Sequence, residues 1–366
     1  SVGIFFGISS ILSLIGCQLI KGSKLLKGLL LLGLVVSLFF VALVNFSTVW
    51  IVLGVVSFLY ILYSLFTVDL LGGMPMTWVA RLKKLPAYPT IVMVLSVVFV
   101  IWGSTLGASL SNKFKISNVE VRPNLSVTME IARETIKAKP LFGSGPNTFV
   151  TQWVTYRPAD IITTVFWNTD FTNGIGLIPT FAVTTGVVGM LSWLLFFGFY
   201  LYVGVKSLFV RLDDSFMKYL LASSFFVSLY LWILTFAYVP SPAIFILTFF
   251  FTGLFFASIY VAGIISVVPK KFSANPRTGF ISSLIIVVFF VGGVALGYGL
   301  FGNSLSLWYF QKSSFALNTT KDSKLSEEYM LKAIDTVPSD VYYRALSDIE
   351  LFRLNEVLSQ DAKKVT

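Results

Sequence analysis

The residues able to do chemistry are concentrated in one polar interval, between residues 110 and 176. A short segment of it carries carboxylates and cations at helical spacing: Glu130, Arg133, Glu134, Lys137 and Lys139. Carboxylates can take a proton from a hydroxyl, and arginine can hold phosphate oxygens through two parallel hydrogen bonds. The segment leads into residues 140–149, which read Pro-Leu-Phe-Gly-Ser-Gly-Pro-Asn-Thr-Phe. The residue types therefore favour proton transfer and anion binding beside a glycine-rich turn.

Other kinds of chemistry have little support in the sequence. The 366 residues include no histidine and a single cysteine, Cys17, inside an apolar run. Histidine is the commonest general base and metal ligand, and one cysteine forms neither a disulfide nor a thiolate cluster within the chain. We therefore expect no metal and no cofactor. Gly143-Ser144-Gly145 lacks the following Gly-Lys-Ser/Thr and the preceding strand of a nucleotide-binding loop, so these glycines alone predict a tight turn.

The sequence on both sides of the polar interval predicts membrane-spanning helices, and these helices must hold the interval in place. Hydrophobic residues make up 56% of the chain and charged residues 12%, with a mean hydropathy of +0.85, whereas a soluble domain carries about 25% charged residues. About 20 apolar residues cross the hydrocarbon of a bilayer. Eight segments qualify: 2–20, 28–45, 48–67, 89–109, 177–203, 217–238, 242–268 and 279–301. The predicted fold class is an all-α polytopic membrane helix bundle with a large extracytoplasmic loop and a C-terminal helical-repeat segment.

Four regions follow from these spans. Residues 1–109 hold the first four spans, 110–176 the polar loop, 177–301 the last four spans, and 302–366 a soluble helical segment. The sequence starts at Ser1 and is apolar at once, without the pattern of a signal peptide. We interpret it as a fragment with spans missing upstream.

Positive charge is distributed as in a protein that crosses a membrane several times. The net charge is +10, from 27 Lys and Arg against 17 Asp and Glu. Twelve of the basic residues lie in four alternate short connections, and the two opposite ones, 45–47 and 239–241, hold none. Because Lys and Arg collect on the cytoplasmic side, the excess indicates topology and not a nucleic-acid surface. We expect the polar loop and the C-terminal segment to lie outside the cytoplasm.

An amphipathic helix is predicted inside the loop, between Pro123 and Pro140. Its apolar positions recur every three or four residues, at Leu125, Met129, Ala132 and Ile136. Glu130, Arg133, Glu134 and Lys137 share the opposite face. Such a helix can lie on the membrane or on the other spans; the alternative is a surface helix with solvated ion pairs.

The C-terminal segment predicts three helices. Ser313, Phe315 and Ala316 open the first, Leu325 to Thr336 form the second, and residues 341–358 form the third after Pro338. The pattern resembles a tetratricopeptide repeat and the opening of another, which predicts a protein partner for the tail. The alternative is an unrelated helical hairpin.

With these motifs, the chain resembles the O-antigen ligase and polymerase superfamily of bacterial polytopic membrane glycosyltransferases. Arg122 through Gly145 is similar to that family's arginine, short amphipathic helix and Pro-Leu-Phe-Gly-x-Gly signature. Residues 184–189, Thr-Thr-Gly-Val-Val-Gly, resemble the small-residue pattern that opens the family's next span. The resemblance covers residues 25–300, and its specific part lies between 122 and 189.

The resemblance implies transfer of a glycan from an undecaprenyl diphosphate carrier to an acceptor hydroxyl, outside the bacterial cytoplasmic membrane and without a metal. A departing diphosphate requires positive charge, and Arg122 occupies the family's arginine position. The supporting substrate-binding residues are then Arg133, Lys137, Lys139, Gly143, Gly145, Asn147, Trp153, Tyr156, Arg157, Trp167 and Asn168. The aromatic residues among them are expected to stack on sugar rings or to anchor the loop at the interface. Ligase and polymerase remain open, as does an acceptor that is lipid, glycan or protein.

One departure from the family pattern concerns the base. The family places a histidine before the late span, where this chain reads Phe-Trp-Asn-Thr-Asp-Phe from 166 to 171. Asp170 and Glu130 are the candidate substitutes. The alternative function is a non-catalytic membrane scaffold, or a component that binds or exports lipid-linked glycan and recruits partners through its tail.

Overall fold

The computed structural model describes residues 2–20, 22–72, 85–114, 122–163, 169–239, 241–265 and 276–365. Within these ranges the chain is helical and contains no strand. The helices are α1 (Val2–Leu19), α2 (Lys24–Val44), α3 (Ser47–Gly72), α4 (Ala87–Lys113), α5 (Leu125–Ala138), α6 (Phe149–Tyr156), α7 (Leu177–Leu208), α8 (Ser215–Ala237), α9 (Pro242–Val261), α10 (Pro276–Phe315), α11 (Ser323–Thr336) and α12 (Asp340–Val365). The chain divides into two compact units, Ser1–Val267 and Val268–Thr366.

Eight of the described helices are long and apolar enough to cross a membrane, namely α1 to α4 and α7 to α10. They coincide with the eight segments that hydropathy selected. The predicted all-α polytopic fold is therefore confirmed.

Local sequence explains several helix ends. Asn45 ends α2 in the left-handed conformation, with φ of 49°, and its backbone N–H donates to Val41 O. Asp214 caps α8 by accepting a hydrogen bond from Phe216 N at 2.9 Å. Ser241 caps α9, where Pro242 occupies the first turn and needs no N–H partner. These caps allow short connections between adjacent spans.

α8 lies at the centre of the first unit. It packs against α1, α3, α7 and α9, and its Tyr230 and Trp232 are fully buried. The Tyr230 hydroxyl donates to Ile4 O at 3.4 Å, and a side-chain carbon at Gly7 would overlap that hydroxyl. Trp232 donates through its indole nitrogen to Thr252 Oγ1 at 3.0 Å. Buried polar groups of α8 thus find partners on neighbouring helices, as a membrane interior requires.

The connections between spans separate into two ends of this unit. At one end Phe46, between α2 and α3, packs on Tyr238 at the end of α8, with ring centres 4.9 Å apart. At the other end α1 approaches the start of α8, where Gly16 faces Tyr219, and α3 approaches the end of α7 through Tyr63 and Phe209. The short connections without Lys or Arg therefore lie together, as the charge pattern predicts. The basic connections at 73–84 and 266–275 lie outside the described residues.

The second unit differs from the prediction at its first helix. We expected a span over 279–301 and a separate helix from Ser313, whereas α10 runs unbroken from Pro276 to Phe315. Its C-terminal part is extended by packing against α11. Ser306 Oγ donates to Ala333 O at 2.7 Å, and Ser313 Oγ donates to Ser326 O at 2.7 Å. These small residues let the two antiparallel helices approach closely, so the helix has no reason to end at the apolar boundary.

The predicted second and third tail helices are present as α11 and α12. A π-helical turn, Ala316–Thr320, joins α10 to α11. Arg353 of α12 forms an ion pair with Glu327 of α11, and Phe310 packs on Tyr342 with ring centres 5.3 Å apart. A helical hairpin with a third helix is thereby established, while membership of the tetratricopeptide class stays a prediction.

Candidate functional site

α5 opens the candidate site and buries a face that hydropathy did not indicate. Its buried residues are Thr128, Ile131, Ala132 and Thr135, whereas Leu125 and Met129 are 52% and 53% exposed. The predicted apolar face was therefore only partly right. Thr128 Oγ1 donates to Asn124 O at 3.0 Å, and Thr135 Oγ1 donates to Ile131 O at 2.8 Å. Threonine hydroxyls that bond to their own helix can be buried, which a hydropathy pattern does not register.

A small core attaches the loop to the first half of α7. Ile131 and Ala132 of α5 pack with Phe149 and Trp153 of α6, and with Ala182 and Val183 of α7. The indole nitrogen of Trp153 donates to Thr169 O at 3.2 Å, and its ring meets Phe171 edge-on at 4.8 Å. Because Trp153 is 1% exposed, it has no free ring face for a sugar. The expected stacking of Trp153 on a sugar ring is therefore corrected: its side chain packs in the core of the loop.

Thr128 also fixes the return of the loop to the membrane. Its hydroxyl accepts the backbone N–H of Ile175 at 3.2 Å, two residues before α7 begins. Gly176, which caps α7 with φ of 78°, donates its N–H to Tyr238 O at 3.2 Å. The start of α7 is therefore held by both α5 and the end of α8.

The glycine-rich turn inserts into a break in α7. Gly186 has φ of 63° and ψ of −161°, which interrupts the helix between Thr185 and Val187. The carbonyl and amide groups released by this break are bonded by residues 140–145, which we call the inserted turn. The four hydrogen bonds are Ser144 N to Val183 O (2.8 Å), Gly145 N to Thr184 O (3.0 Å), Val187 N to Pro140 O (3.0 Å) and Val188 N to Leu141 O (3.2 Å).

Two glycines allow this close approach of backbones. A Cβ on Gly143, which has φ of 65°, would lie 2.5 Å from Val183 O. A Cβ on Gly186 would lie 2.5 Å from Gly143 N. Each glycine thus occupies the space that the other's side chain would need.

The amides of the Gly-Ser-Gly part of the inserted turn are used within the protein and not offered to a ligand. Ser144 and Gly145 donate to α7, and Gly143 N donates to Lys139 O at 3.1 Å. The expected binding role of Gly143 and Gly145 is therefore corrected to a structural one. Asn147 follows the turn, exposed and in the left-handed region with φ of 59°.

A cleft of about 660 Å³ lies between α5 and α7. Its apolar walls are Met129, Ala132, Ile136, Ile178, Pro179, Ala182 and Met190, and its charged residues are Glu130, Arg133 and Glu134. Lys137 pairs with Glu134 at 2.6 Å. Among the residues that the structure describes, no carboxylate lies within ion-pairing distance of Arg133. The cleft combines a long apolar surface with one cation and two carboxylates.

The structure brings Glu130 and Arg133 to this cleft and leaves other candidates elsewhere. The guanidinium carbon of Arg122 lies 5.6 Å from the centre of the Tyr238 ring. Tyr238 O in turn accepts the N–H of Gly176, the residue before α7. Through Tyr238, Arg122 is therefore linked to the start of α7, which supplies Ile178 and Pro179 to the cleft.

The remaining candidates line neither wall of the cleft. Asp170 and Lys139 are exposed, Arg157 is half-buried where α6 ends, and Tyr156 packs against the loop core. Trp167 and Asn168 lie outside the described residues. Sequence reasoning missed the contribution of α7, whose lining residues carry no charge.

No family model, curated protein or solved structure matches this chain. Among the described residues there is also no cluster of three side chains able to hold a metal ion. What the first unit offers is a mostly apolar cleft with charged residues, beside a long apolar helix interrupted at Gly186.

Proposed function

We propose that this protein is an integral-membrane glycosyltransferase that moves a glycan from an undecaprenyl diphosphate carrier to an acceptor hydroxyl. The donor binds in the cleft between α5 and α7. The observation that carries this proposal is the presence of Arg133 and Glu130 in a cleft of about 660 Å³ whose other walls are almost entirely apolar. The resemblance of residues 122–145 and 184–189 to the O-antigen ligase superfamily supports the same reaction.

The two parts of such a donor match the two parts of the cleft. The first isoprene units contact the apolar walls, where burial of hydrocarbon is favourable. The diphosphate contacts Arg133, whose planar guanidinium can hold two phosphate oxygens at once. Arg122 provides a second cation near the start of α7, in the position that the family resemblance gives to its arginine.

The transfer step uses Glu130 and Arg133, which line the cleft, together with Arg122 beside Tyr238. The acceptor hydroxyl oxygen attacks the anomeric carbon of the glycan, and a new carbon–oxygen bond forms. The bond from that carbon to the diphosphate oxygen breaks, and its electron pair leaves with the lipid diphosphate. Glu130 takes the hydroxyl proton, while Arg133 and Arg122 stabilise the negative charge that develops on the leaving group.

The charge pattern supports a site outside the cytoplasm of a bacterial cell. The polar loop starts and returns at the end of the first unit where the connections lack Lys and Arg. Such connections face away from the cytoplasm. The cytoplasmic membrane of a bacterium is where undecaprenyl-linked donors would meet this cleft.

Transfer by the purified protein tests the proposal. The protein in lipid nanodiscs receives an undecaprenyl diphosphate oligosaccharide and candidate acceptors, and mass spectrometry follows product and released carrier. We expect turnover by the parent protein. Glu130→Gln should lower kcat roughly a hundredfold, and Arg133→Ala should lower kcat/KM by a comparable factor.

Matched controls lie at the opposite end of the first unit, where Asp213 and Arg211 are exposed. Asp213→Asn and Arg211→Ala should keep parent activity. Saturable donor binding without product would favour the non-catalytic scaffold. Equal turnover by Glu130→Gln and Asp213→Asn would remove Glu130 from the mechanism.

A further inference from the structure

The second half of α7 extends as far toward the polar loop as α8 does. The hydroxyls of Tyr200 and Ser228 share a hydrogen bond. Phe197 meets Trp232 edge-on with ring centres 4.7 Å apart, so the two helices are antiparallel here. From Phe197 back to Val187 the helix α7 rises about 15 Å, whereas α8 rises about 9 Å from Trp232 to its C-cap residue. Val187 therefore lies at or beyond the level at which α8 ends.

The level at which α8 ends is also a boundary of the hydrocarbon core. Lys218 lies near the start of α8, Tyr238 caps its end, and no charged residue lies between them. The helix rises about 30 Å over that distance, which is the thickness of the core. Because Gly176 N donates to Tyr238 O, the first half of α7 both begins and ends at this boundary. Residues 177–185 therefore lie along the membrane surface, and α7 enters the hydrocarbon after Gly186.

The inserted turn is held at the same boundary by its backbone. Its first two carbonyls, those of Pro140 and Leu141, accept the amides of Val187 and Val188 immediately after the break in α7. Leu141 and Phe142 nevertheless leave most of their side chains uncovered, because they are 60% and 71% exposed. Val187 and Val188 are exposed as well. The turn thus enlarges the exposed apolar surface of the span.

We propose that Leu141 and Phe142 insert into the lipid leaflet at this boundary and anchor the polar loop to the membrane. Two large apolar side chains at the edge of the hydrocarbon gain free energy by entering it, whereas in water they would remain uncovered. The described part of the chain leaves both of them exposed. The partner is the bilayer itself, and the inference uses neither the cleft nor the transfer reaction.

A cation beside the turn fits the same partner. Lys139 ends α5, is exposed, and comes two residues before Leu141. Lysine at a membrane surface can lay its hydrocarbon stem on apolar groups and place its ammonium among lipid phosphates. An apolar pair with an adjacent cation is typical of segments that bind the interface of a bilayer. Because the turn follows α5 directly, the anchor also holds that helix at the membrane surface.

Depth-dependent fluorescence quenching tests the anchor. In a chain with Cys17 replaced by serine, Phe142→Cys receives an NBD label, and the protein is reconstituted in lipid nanodiscs. A phospholipid with a nitroxide near the headgroup end of its acyl chain should quench this label, and one with the nitroxide near the methyl end should quench it several-fold less. Aqueous iodide should quench it several-fold less than a label on Asp213→Cys, an exposed residue at the opposite end of the first unit.

Leu195→Cys is the matched reference within lipid. Leu195 is 75% exposed and lies about 12 Å along α7 from Val187, which places its label near the middle of the bilayer. The nitroxide near the methyl end should be the stronger quencher there, which also shows that the chain is inserted.

Two outcomes would overturn the inference. Iodide quenching of the Phe142 label as strong as that of the Asp213 label, without quenching by either lipid, would show that the turn faces water. Protection of the Phe142 label from iodide and from both nitroxide lipids would show that a protein surface covers the turn instead of the bilayer.

Discussion

Replacing Gly186 by alanine should break the contact between the inserted turn and α7. The new Cβ would lie 2.5 Å from Gly143 N and 2.6 Å from Leu141 O, so the turn must move away. The backbone conformation itself is one that only glycine adopts readily, at a cost of about 1–3 kcal/mol for another residue. Loss of the four hydrogen bonds across the break adds about 1 kcal/mol each, less what α7 recovers by closing its own helix. We expect a net destabilisation of about 4 kcal/mol.

Thermal unfolding in detergent and backbone hydrogen exchange measure this effect. The amides of Ser144 and Gly145 should exchange slowly in the parent protein and rapidly in Gly186→Ala. Gly198→Ala is the matched control, because Gly198 lies in the same helix and a Cβ added there would meet no neighbouring atom within 4 Å. It should be neutral or stabilising by up to about 1 kcal/mol. Equal stability and equal amide protection in the two variants would refute the inserted-turn explanation.

Three further outcomes are expected from the same structure. Arg122→Lys should be expressed and inserted normally, but its transfer rate should fall by the equivalent of about 2–4 kcal/mol of transition-state stabilisation. Arg211→Lys should match the parent in the same assay. Equal activity of the two variants would make Arg122 a membrane anchor. Thr128→Val should cost about 1–3 kcal/mol in thermal unfolding because the Ile175 amide loses its acceptor, while Thr155→Val, which removes an exposed hydroxyl that donates to Thr151 O of its own helix, should cost little. With Cys17 replaced by serine, a cysteine introduced at Asn147 should react with an impermeant maleimide in spheroplasts, whereas one at Asp213 should not. Labelling at Asp213 without labelling at Asn147 would show that the predicted topology is inverted.

The spans could be predicted from the sequence because the bilayer imposes a length and a composition on each of them. All eight segments became helices, and the connections without Lys or Arg gathered at one end of the first unit. Hydropathy does not report a break within a span or the extension of a helix beyond the apolar segment. It gave no sign that α7 breaks at Gly186, since a broken and an unbroken apolar helix have the same composition. It also ended the last span near residue 301, whereas packing of Ser306 and Ser313 against α11 continues the helix to Phe315.

The site was accessible to sequence reasoning only through its charged residues. Glu130 and Arg133 were selected by type and spacing, and the structure places both in one cleft. The partners that complete the cleft come from α7, about fifty residues later, and nothing in their types marks them. Trp153 shows the opposite error, because an aromatic residue in a polar loop was assigned to ligand binding and is instead buried under Thr169 and Phe171.

The two sequence patterns behind the family resemblance form a single structural unit. Gly143 belongs to the first and Gly186 to the second, and each fits only because the other has no side chain. The inserted turn follows directly from α5, which forms one wall of the cleft, and the break lies in α7, which forms the other. The position of the two walls therefore depends on this backbone contact. Substitutions at either glycine should thus change donor KM even though neither residue lines the cleft, which separates their effect from the direct loss expected at Glu130 and Arg133.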